Sequence, residues 1–402
     1  MTRPDDPTAS GAPTAPALPA PRSPLLAMYL AAGLSGMMMI SYGPMLDAIV
    51  ADVHMERAQA GIVSLTFFLG MNIGIFLLNF VIGGLKSRRT MALGAAMQFV
   101  GLLLFSRATS LAGLSLTYLL TGAGYGILIV YPGVYISSLF KENTERPMTF
   151  TFGFFAAGVT LTPALIGWGL DAGVSWRHLV LLEAAITLAV LLFFPFATLH
   201  DIPDRANLNR TEIQRTWRHN ARLWVAMFGA VMFYVGAEGI FNVWLAKFQI
   251  DVFARSPMRA ALSVTIFWIG LTIGRLAGAH FVGRLGPHRV IAVSGVVMGA
   301  ATVGTALSEG AFASDVYALL AGLAASIIFP VATAYSGRFP DWLSGVVYSS
   351  CVFAAGIGNM FFPYLVGYVA DWTNFRWAMT VGVVPIVGVI VLTWIGHRAA
   401  EG

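Results

Sequence analysis

The segment FFLGMNIG at residues 67–74 recurs as FWIGLTIG at residues 267–274, an offset of 200 residues. Each copy lies in a long apolar run, and each is followed by a basic segment that contains Arg89 in the first copy and Arg289 in the second. Self-similarity at a fixed offset indicates a chain built from repeated structural units. The sequence therefore predicts two similar halves.

The repeat continues into later segments of the chain. FAAG at residues 155–158 recurs at residues 353–356, close to the same offset. Three more residues in the first half, Pro163, Gly167 and Asp171, match Pro363, Gly367 and Asp371 in the second. Matches in several separate segments favour duplication of a whole half.

Composition places these halves in a membrane. Of 402 residues, 57% are hydrophobic and 11% are charged, whereas soluble proteins carry about 25% charged residues. A helix needs about 20 apolar residues to cross the hydrocarbon, and only helices or closed barrels satisfy the backbone there. We predict an all-α membrane protein with twelve helices, numbered 1 to 12, that start near Leu25, Ala58, Met91, Ser110, Met148, Val180, Leu223, Ala260, Val290, Asp315, Leu343 and Ala378.

The polar segments set the domain boundaries. Residues 1–24 are rich in proline, alanine and threonine, which predicts a disordered tail. Residues 25–199 and 222–402 are predicted to form two six-helix bundles, joined by a polar linker at residues 200–221.

The distribution of basic residues predicts the orientation. Sixteen of the 24 lysines and arginines lie in the segments that share a side with both termini. The other side carries Arg57, Arg107, Arg177, Lys247, Arg255, Arg259 and Arg376. The positive-inside rule then predicts a bacterial-type inner membrane protein with cytoplasmic termini, and the positive charge does not indicate nucleic-acid binding. We expect a monomer.

Paired glycines suggest close helix packing. Gly70 and Gly74 are one turn apart in helix 2, as are Gly270 and Gly274 in helix 8. Small residues at this spacing let helix backbones approach closely. Their matching positions predict a sliding interface between the halves, with static packing as the alternative.

Glu238 is the most informative polar residue. It lies about 24 Å along helix 7 from Arg222, deep in the membrane. Tyr234 and Asn242 share its helix face by i, i+4 spacing. Ionisable residues within the membrane are expensive and mark transport pathways or proton relays. We predict a role in proton coupling, substrate binding or both, with a buried structural glutamate as the alternative.

Three other charged residues allow more than one interpretation. Asp47 is a second proton-coupling candidate, although its position near the end of helix 1 also suits a surface aspartate. Arg275 in helix 8 would bind an anion or pair structurally with Glu238. Glu183 in helix 6 has no assigned role.

Aromatic and polar residues in several helices are candidates for a substrate cavity. They are Ser41, Tyr42, Tyr125, Tyr131, Phe155, Phe329 and Asn359, in addition to Tyr234, Glu238 and Asn242. Tyrosine combines an apolar ring with one hydroxyl group, which suits a sugar or another small amphipathic solute. Each residue taken singly also suits ordinary packing.

The sequence predicts neither an enzyme nor a metalloprotein. It has no phosphate-binding loop, no HExxH helix and no nucleophile–base pair, so no cofactor is expected. The run Met37-Met38-Met39 lacks the spacing of a copper site, and flexible packing explains it better. The expected partners are a small-molecule substrate, protons and the lipid bilayer.

Several motifs resemble the fucose–galactose–proton symporter group of the major facilitator superfamily. FYVGA at 233–237, GRLAG at 274–278 and RLGPHRV at 284–290 are similar to helices 7 to 9 of that group. YGP at 42–44 and QAG at 59–61 are similar to the wider superfamily. The resemblance implies twelve helices in two pseudo-symmetric bundles and alternating-access transport.

Departures from the family pattern limit what the resemblance implies about substrate. Gly84 stands where the superfamily usually has a gating aspartate, and Tyr118 stands where a helix 4 arginine is common. Asp47 matches the helix 1 acid of fucose permease, but its helix 4 acid and asparagine fall on Ile127 and Tyr131. We therefore predict a proton-coupled transporter of a small organic solute, with a sugar as the first expectation.

Two alternatives come from other features. Gly158, Pro163 and Gly167 partly resemble the helix 5 signature of antiporters, which favours an exporter of drugs or lipophilic solutes. A receptor or sensor on a transporter fold is the alternative of another class.

Overall fold

The computed structural model describes residues 22–82, 84–140, 145–201, 210–285, 287–334 and 341–401. The predicted tail spans residues 1–24, of which residues 1–21 lie outside these ranges. The predicted linker spans residues 200–221, of which residues 202–209 lie outside them. Within the described ranges the secondary structure is helical, and long apolar segments alternate with short connections.

The first half contains helices 1 to 6. Helix 1 is broken at Ser41 into Arg22–Ile40 and Tyr42–Val53, which are bent by 44°. The others are helix 2 (Arg57–Phe80), helix 3 (Ser87–Phe105), helix 4 (Leu111–Phe140), helix 5 (Glu145–Asp171) and helix 6 (Trp176–Phe193), followed by a short 3₁₀ turn at Phe194–Phe196.

The second half contains helices 7 to 12. They are helix 7 (Arg210–Phe253), helix 8 (Pro257–Leu285), helix 9 (Pro287–Leu307), helix 10 (Ala311–Ala325 and Ile328–Ala334), helix 11 (Asp341–Trp372) and helix 12 (Phe375–Thr380 and Val383–Glu401). Helix 7 is kinked at Asn220, and its candidate membrane span is Asn220–Phe253.

Among the described residues, ten helices are long and apolar enough to cross a membrane, or eleven if the bent helix 1 is counted as one span. Helix 3 completes the predicted set of twelve. It has 19 residues, and Arg88 and Arg89 in its first turn lower its apolar character.

Packing within the halves follows the sequence repeat. Helix 2 packs on helix 4, and its counterpart helix 8 packs on helix 10. Between the halves, helix 2 packs on helix 11 and helix 5 packs on helix 8. These two contacts are related by the same repeat, so the interface between the halves is itself pseudo-symmetric.

The paired glycines lie inside the halves and not between them. A β-carbon on Gly74 would collide with the carbonyl oxygen of Ala123 in helix 4, and Gly70 meets the same helix at Leu119. Gly270 and Gly274 meet helix 10 in the same way. The prediction that these glycines form a sliding interface between the halves is therefore wrong, because their open faces are filled by helices of their own bundle.

Candidate substrate and coupling site

Glu238 lies in the middle of helix 7 and is only 4% exposed. The Tyr234 hydroxyl, one turn earlier, donates a hydrogen bond of 2.7 Å to Glu238 Oε2. Asn242 lies one turn later and also interacts with this carboxyl group. The i, i+4 spacing places the three side chains on one face of the helix, as predicted from the sequence.

Residues from other helices approach the same carboxyl group. Arg275 of helix 8 interacts electrostatically with Glu238 and with the Tyr234 hydroxyl. It forms no ion pair with Glu238 within 4.0 Å among the described residues. Tyr125 of helix 4 interacts with Glu238 from the opposite half. Both halves therefore contribute to the surroundings of Glu238.

Buried polar atoms near this site are left without hydrogen bonds. Asn242 accepts a bond of 3.0 Å from Trp268 Nε1, but its own Nδ2 has no partner in hydrogen-bond geometry among the described residues. The same is true of Arg275 Nε and Asn359 Oδ1. An unsatisfied buried polar atom costs about 1–3 kcal/mol. Arg275 Nε and Asn359 Oδ1 are therefore available to a polar ligand, and Asn242 Nδ2 lies beside the Glu238 carboxyl group with which Asn242 interacts.

Asn72 extends this group of atoms to the interface between the halves. It lies in helix 2, directly against Gly356 of helix 11. Its Nδ2 makes only a 3.8 Å contact with the sulfur of Met360, and its Oδ1 has no partner among the described residues. On the other side of helix 11, Asn359 lies against Gly239 of helix 7.

One end of the bundle, which contains Asp171 and Asp371, is closed by contacts between the halves. We call it the closed end. Lys247 of helix 7 bonds Asp47 of helix 1 at 2.7 Å and Asp251 at 2.8 Å. Arg57 of helix 2 bonds the other oxygen of Asp251 at 3.0 Å. The Lys247 side chain is only 8% exposed, so this charge is largely removed from solvent.

Two helix caps related by the repeat also join the halves at the closed end. Asp171, the last residue of helix 5, accepts a bond of 3.0 Å from the backbone nitrogen of Met258 at the start of helix 8. Asp371, near the end of helix 11, accepts one of 2.9 Å from the backbone nitrogen of Ala58 at the start of helix 2. A carboxylate at a helix N-terminus satisfies a free N–H group and the helix dipole. The two caps and the bonds from Lys247 to Asp47 and from Arg57 to Asp251 cross between the halves and must break if the halves separate at this end.

Comparison with known proteins identifies the family. Residues 28–319 match the model of the Major Facilitator Superfamily. The chain belongs to this superfamily. The predicted all-α fold of twelve helices in two bundles is confirmed, and the protein is a multi-pass membrane transporter.

Individual relatives of this major facilitator transporter are distant. An uncharacterized MFS-type transporter of Yersinia pestis is 24% identical over 354 residues, which cover 86% of this chain and 88% of the relative. The crystal structure of a nucleoside transporter, NupG, superposes with a TM-score of 0.76 at 17% identity, over 93% of this chain and 99% of that chain. The fucose–proton symporter of E. coli gives 0.62 at 18% identity, with the same coverage. At this level of identity the likeness shows the fold.

The transporter brings together only part of the predicted site. Tyr125, Tyr234, Asn242 and Arg275 surround Glu238 as described above. Phe329 joins them, because its ring centroid lies 6.4 Å from that of Tyr234.

Other predicted residues have partners elsewhere. The Tyr42 hydroxyl donates to the carbonyl oxygen of Ala60 at 2.8 Å, and Tyr131 packs on Tyr135 with ring centroids 6.3 Å apart. Phe155 presents its backbone to Gly36 of helix 1.

The remaining predicted residues lie in other parts of the fold. Ser41 occupies the break in helix 1, and Asp47 lies in the ion pair with Lys247. Arg89 and Arg289 are exposed near the starts of helices 3 and 9.

Sequence reasoning missed the residues that close the end of the bundle. In the sequence Lys247 is marked only as a charge on the less basic side and by its i, i+4 spacing to Asp251. Asp171 and Asp371 match in the repeat, but their capping partners lie in the other half and cannot be read from the repeat. Asn72 could have been found as an amide in the middle of the apolar run of helix 2.

Proposed function

We propose that the protein is a secondary transporter that moves a small polar organic solute, with a sugar as the first expectation, by alternating access coupled to protons. The observation that carries this proposal is the group of unpartnered polar atoms around Glu238. Amide and guanidinium groups of this kind match the hydroxyl groups of a sugar or nucleoside. A lipophilic substrate would leave them unsatisfied.

The interface between the halves supports alternating access. The ion pairs and caps of the closed end are polar and connect two similar bundles, so they can break and re-form while each bundle keeps its own packing. Glu238 lies inside one bundle and interacts with Tyr125 of the other. A ligand bound there would contact both halves.

The proposal is tested by uptake into proteoliposomes with an imposed pH gradient. The panel contains pentoses, hexoses, deoxyhexoses, nucleosides, organic acids and cationic dyes. We expect accumulation of a hydroxyl-rich solute that a protonophore abolishes. Expulsion of cationic dyes without sugar or nucleoside transport would favour the exporter instead, and no transport of any solute class would contradict the proposal.

The orientation is a separate proposal that rests on the positive-inside rule, by which the closed end faces the outside of an inner membrane. Gly84 and Gly310 provide a matched pair for its test, because a β-carbon at either position meets nothing within 4 Å. In a Cys351→Ser background, Gly310→Cys should react with an impermeant thiol reagent on intact cells. Gly84→Cys should react only in inverted vesicles, and the reverse pattern would overturn the orientation.

A further inference from the structure

Glu183 is a second buried acid, and it lies in the half opposite Glu238. It is 5% exposed in helix 6, and neither carboxyl oxygen has a hydrogen-bond partner in good geometry among the described residues. The Ser41 hydroxyl, at the break in helix 1, lies within interaction range of the carboxyl group. No ion pair of the described residues includes Glu183.

The charged groups on the neighbouring helices are used elsewhere. On helix 6 itself, Arg177 bonds Asp52 of helix 1 at 2.6 Å and also donates to two backbone carbonyl groups. Asp47 of helix 1 is bound to Lys247, and Asp171 of helix 5 caps helix 8.

Further groups on the packed helices are neutral or distant. Helix 4 contributes the Tyr118 hydroxyl, which interacts electrostatically with Glu183. Helix 3 packs on helix 6 and carries the fully buried amide of Gln98. Arg88, Arg89 and Arg146 lie at the opposite ends of their helices from the closed end. No cation of the described residues therefore forms an ion pair with Glu183.

A buried carboxylate without a cation or hydrogen-bond donors is strongly disfavoured, so this environment selects the neutral acid. Glu183 lies about 10 Å along helix 6 from Trp176, at 1.5 Å per residue. Trp176 begins helix 6 five residues after Asp171 of the closed end, and its ring nitrogen donates to Asp52 of helix 1. Separation of the halves at this end would admit water toward Ser41 and Glu183.

We propose that Glu183 is a second proton-binding site, distinct from Glu238, which exchanges its proton with water when the closed end opens. The O–H bond of the carboxyl group breaks in the hydrated state and the proton passes to water, and the reverse step reloads the site. The inference rests on proton-coupled transport as proposed above. It adds a proton site in the other half, next to the break in helix 1.

Infrared spectroscopy of the reconstituted protein tests the resting state of this acid. We expect a carboxylic acid band at neutral pH that Glu183→Gln removes, and a separate component that Glu238→Gln removes. Glu309→Gln, an exposed glutamate at the same end, serves as the matched control and should change nothing. A neutral-acid spectrum that is the same in Glu183→Gln and the parent would overturn the proposal.

Accessibility against pH tests proton exchange. Thr265 of helix 8 is buried and donates to the carbonyl oxygen of Thr160 across the halves, so Thr265→Cys in a Cys351→Ser background reports opening of the closed end. Raising the pH should increase labelling severalfold, because the Glu183 anion is tolerated only when hydrated. Glu183→Gln should flatten this rise.

The two proposals fail separately in these experiments. If the parent shows proton-driven accumulation and Glu183→Gln keeps the same pH-dependent rise in labelling of Thr265→Cys, the second site is overturned and the proposed function stays intact. If Glu183→Gln removes the infrared band and the pH-dependent rise in labelling, but the parent accumulates no solute under a proton gradient, the second site is supported and the proposed function is contradicted.

Discussion

Glu238→Gln is expected to abolish accumulation driven by a pH gradient while it preserves exchange of substrate across the membrane. Glutamine keeps the shape of the protonated acid and can still accept the 2.7 Å hydrogen bond from Tyr234. It cannot release a proton, so the step that links proton movement to the change between conformations is lost. Accumulation under a gradient and counterflow without one, measured in the same proteoliposomes, separate the two activities.

Asp47→Asn is the comparison for this experiment, because Asp47 is the other predicted coupling acid. Its side chain is 38% exposed and is paired with Lys247. We propose that it acts mainly in the closed end, so its replacement should slow transport and leave accumulation measurable. If Glu238→Gln still concentrates substrate under a pH gradient, the coupling site lies elsewhere. Loss of accumulation in Asp47→Asn alone would move it to helix 1.

The fold was predictable because its signals are local and repeated. Runs of about 20 apolar residues show where helices cross the membrane, whatever their neighbours are. The offset between residues 67–74 and 267–274 shows that the halves are alike. The sequence also predicts helix 3, although its arginines make it too polar to be counted as a membrane span by length and composition alone.

The relative placement of side chains around Glu238 was predictable only along helix 7. The i, i+4 rule places Tyr234 and Asn242 beside it without any tertiary information. Asn72 and Tyr125 come from other helices, and single-sequence reasoning gives no register between separate helices. Tyr42 and Tyr131 were as good candidates by residue type, yet the structure gives Tyr42 a backbone partner at Ala60.

The paired glycines show the same limit. A small-residue spacing reports that some helix approaches closely, but not which helix it is. Gly74 and Gly274 meet helices 4 and 10 inside their own halves. The contacts that do cross between the halves include Gly43, which lies against the backbone of Asn242. That glycine has no repeated spacing to mark it.

Lys247→Met is expected to open the closed end. The substitution keeps an apolar stem of similar length and removes the cation that joins Asp47 to Asp251 at 2.7 and 2.8 Å. Hydrogen bonds to charged groups contribute about 1.5–3 kcal/mol, which is roughly tenfold or more in the equilibrium between closed and open conformations. Labelling of Thr265→Cys should therefore rise by about that factor, with a matching loss of accumulation.

The helix caps provide an internal comparison for this result. Asp171→Ala and Asp371→Ala each remove one cap between the halves, at a cost of about 0.5–2 kcal/mol. The caps are related by the repeat and have similar lengths, 3.0 and 2.9 Å, but Asp171 also accepts a bond of 2.8 Å from the Ser256 hydroxyl. Asp171→Ala should therefore increase labelling of Thr265→Cys at least as much as Asp371→Ala does, and each less than Lys247→Met. If labelling stays at the parent level in all three variants, these polar contacts do not hold the end closed. Apolar packing between helices 2 and 11 and between helices 5 and 8 would then hold it closed.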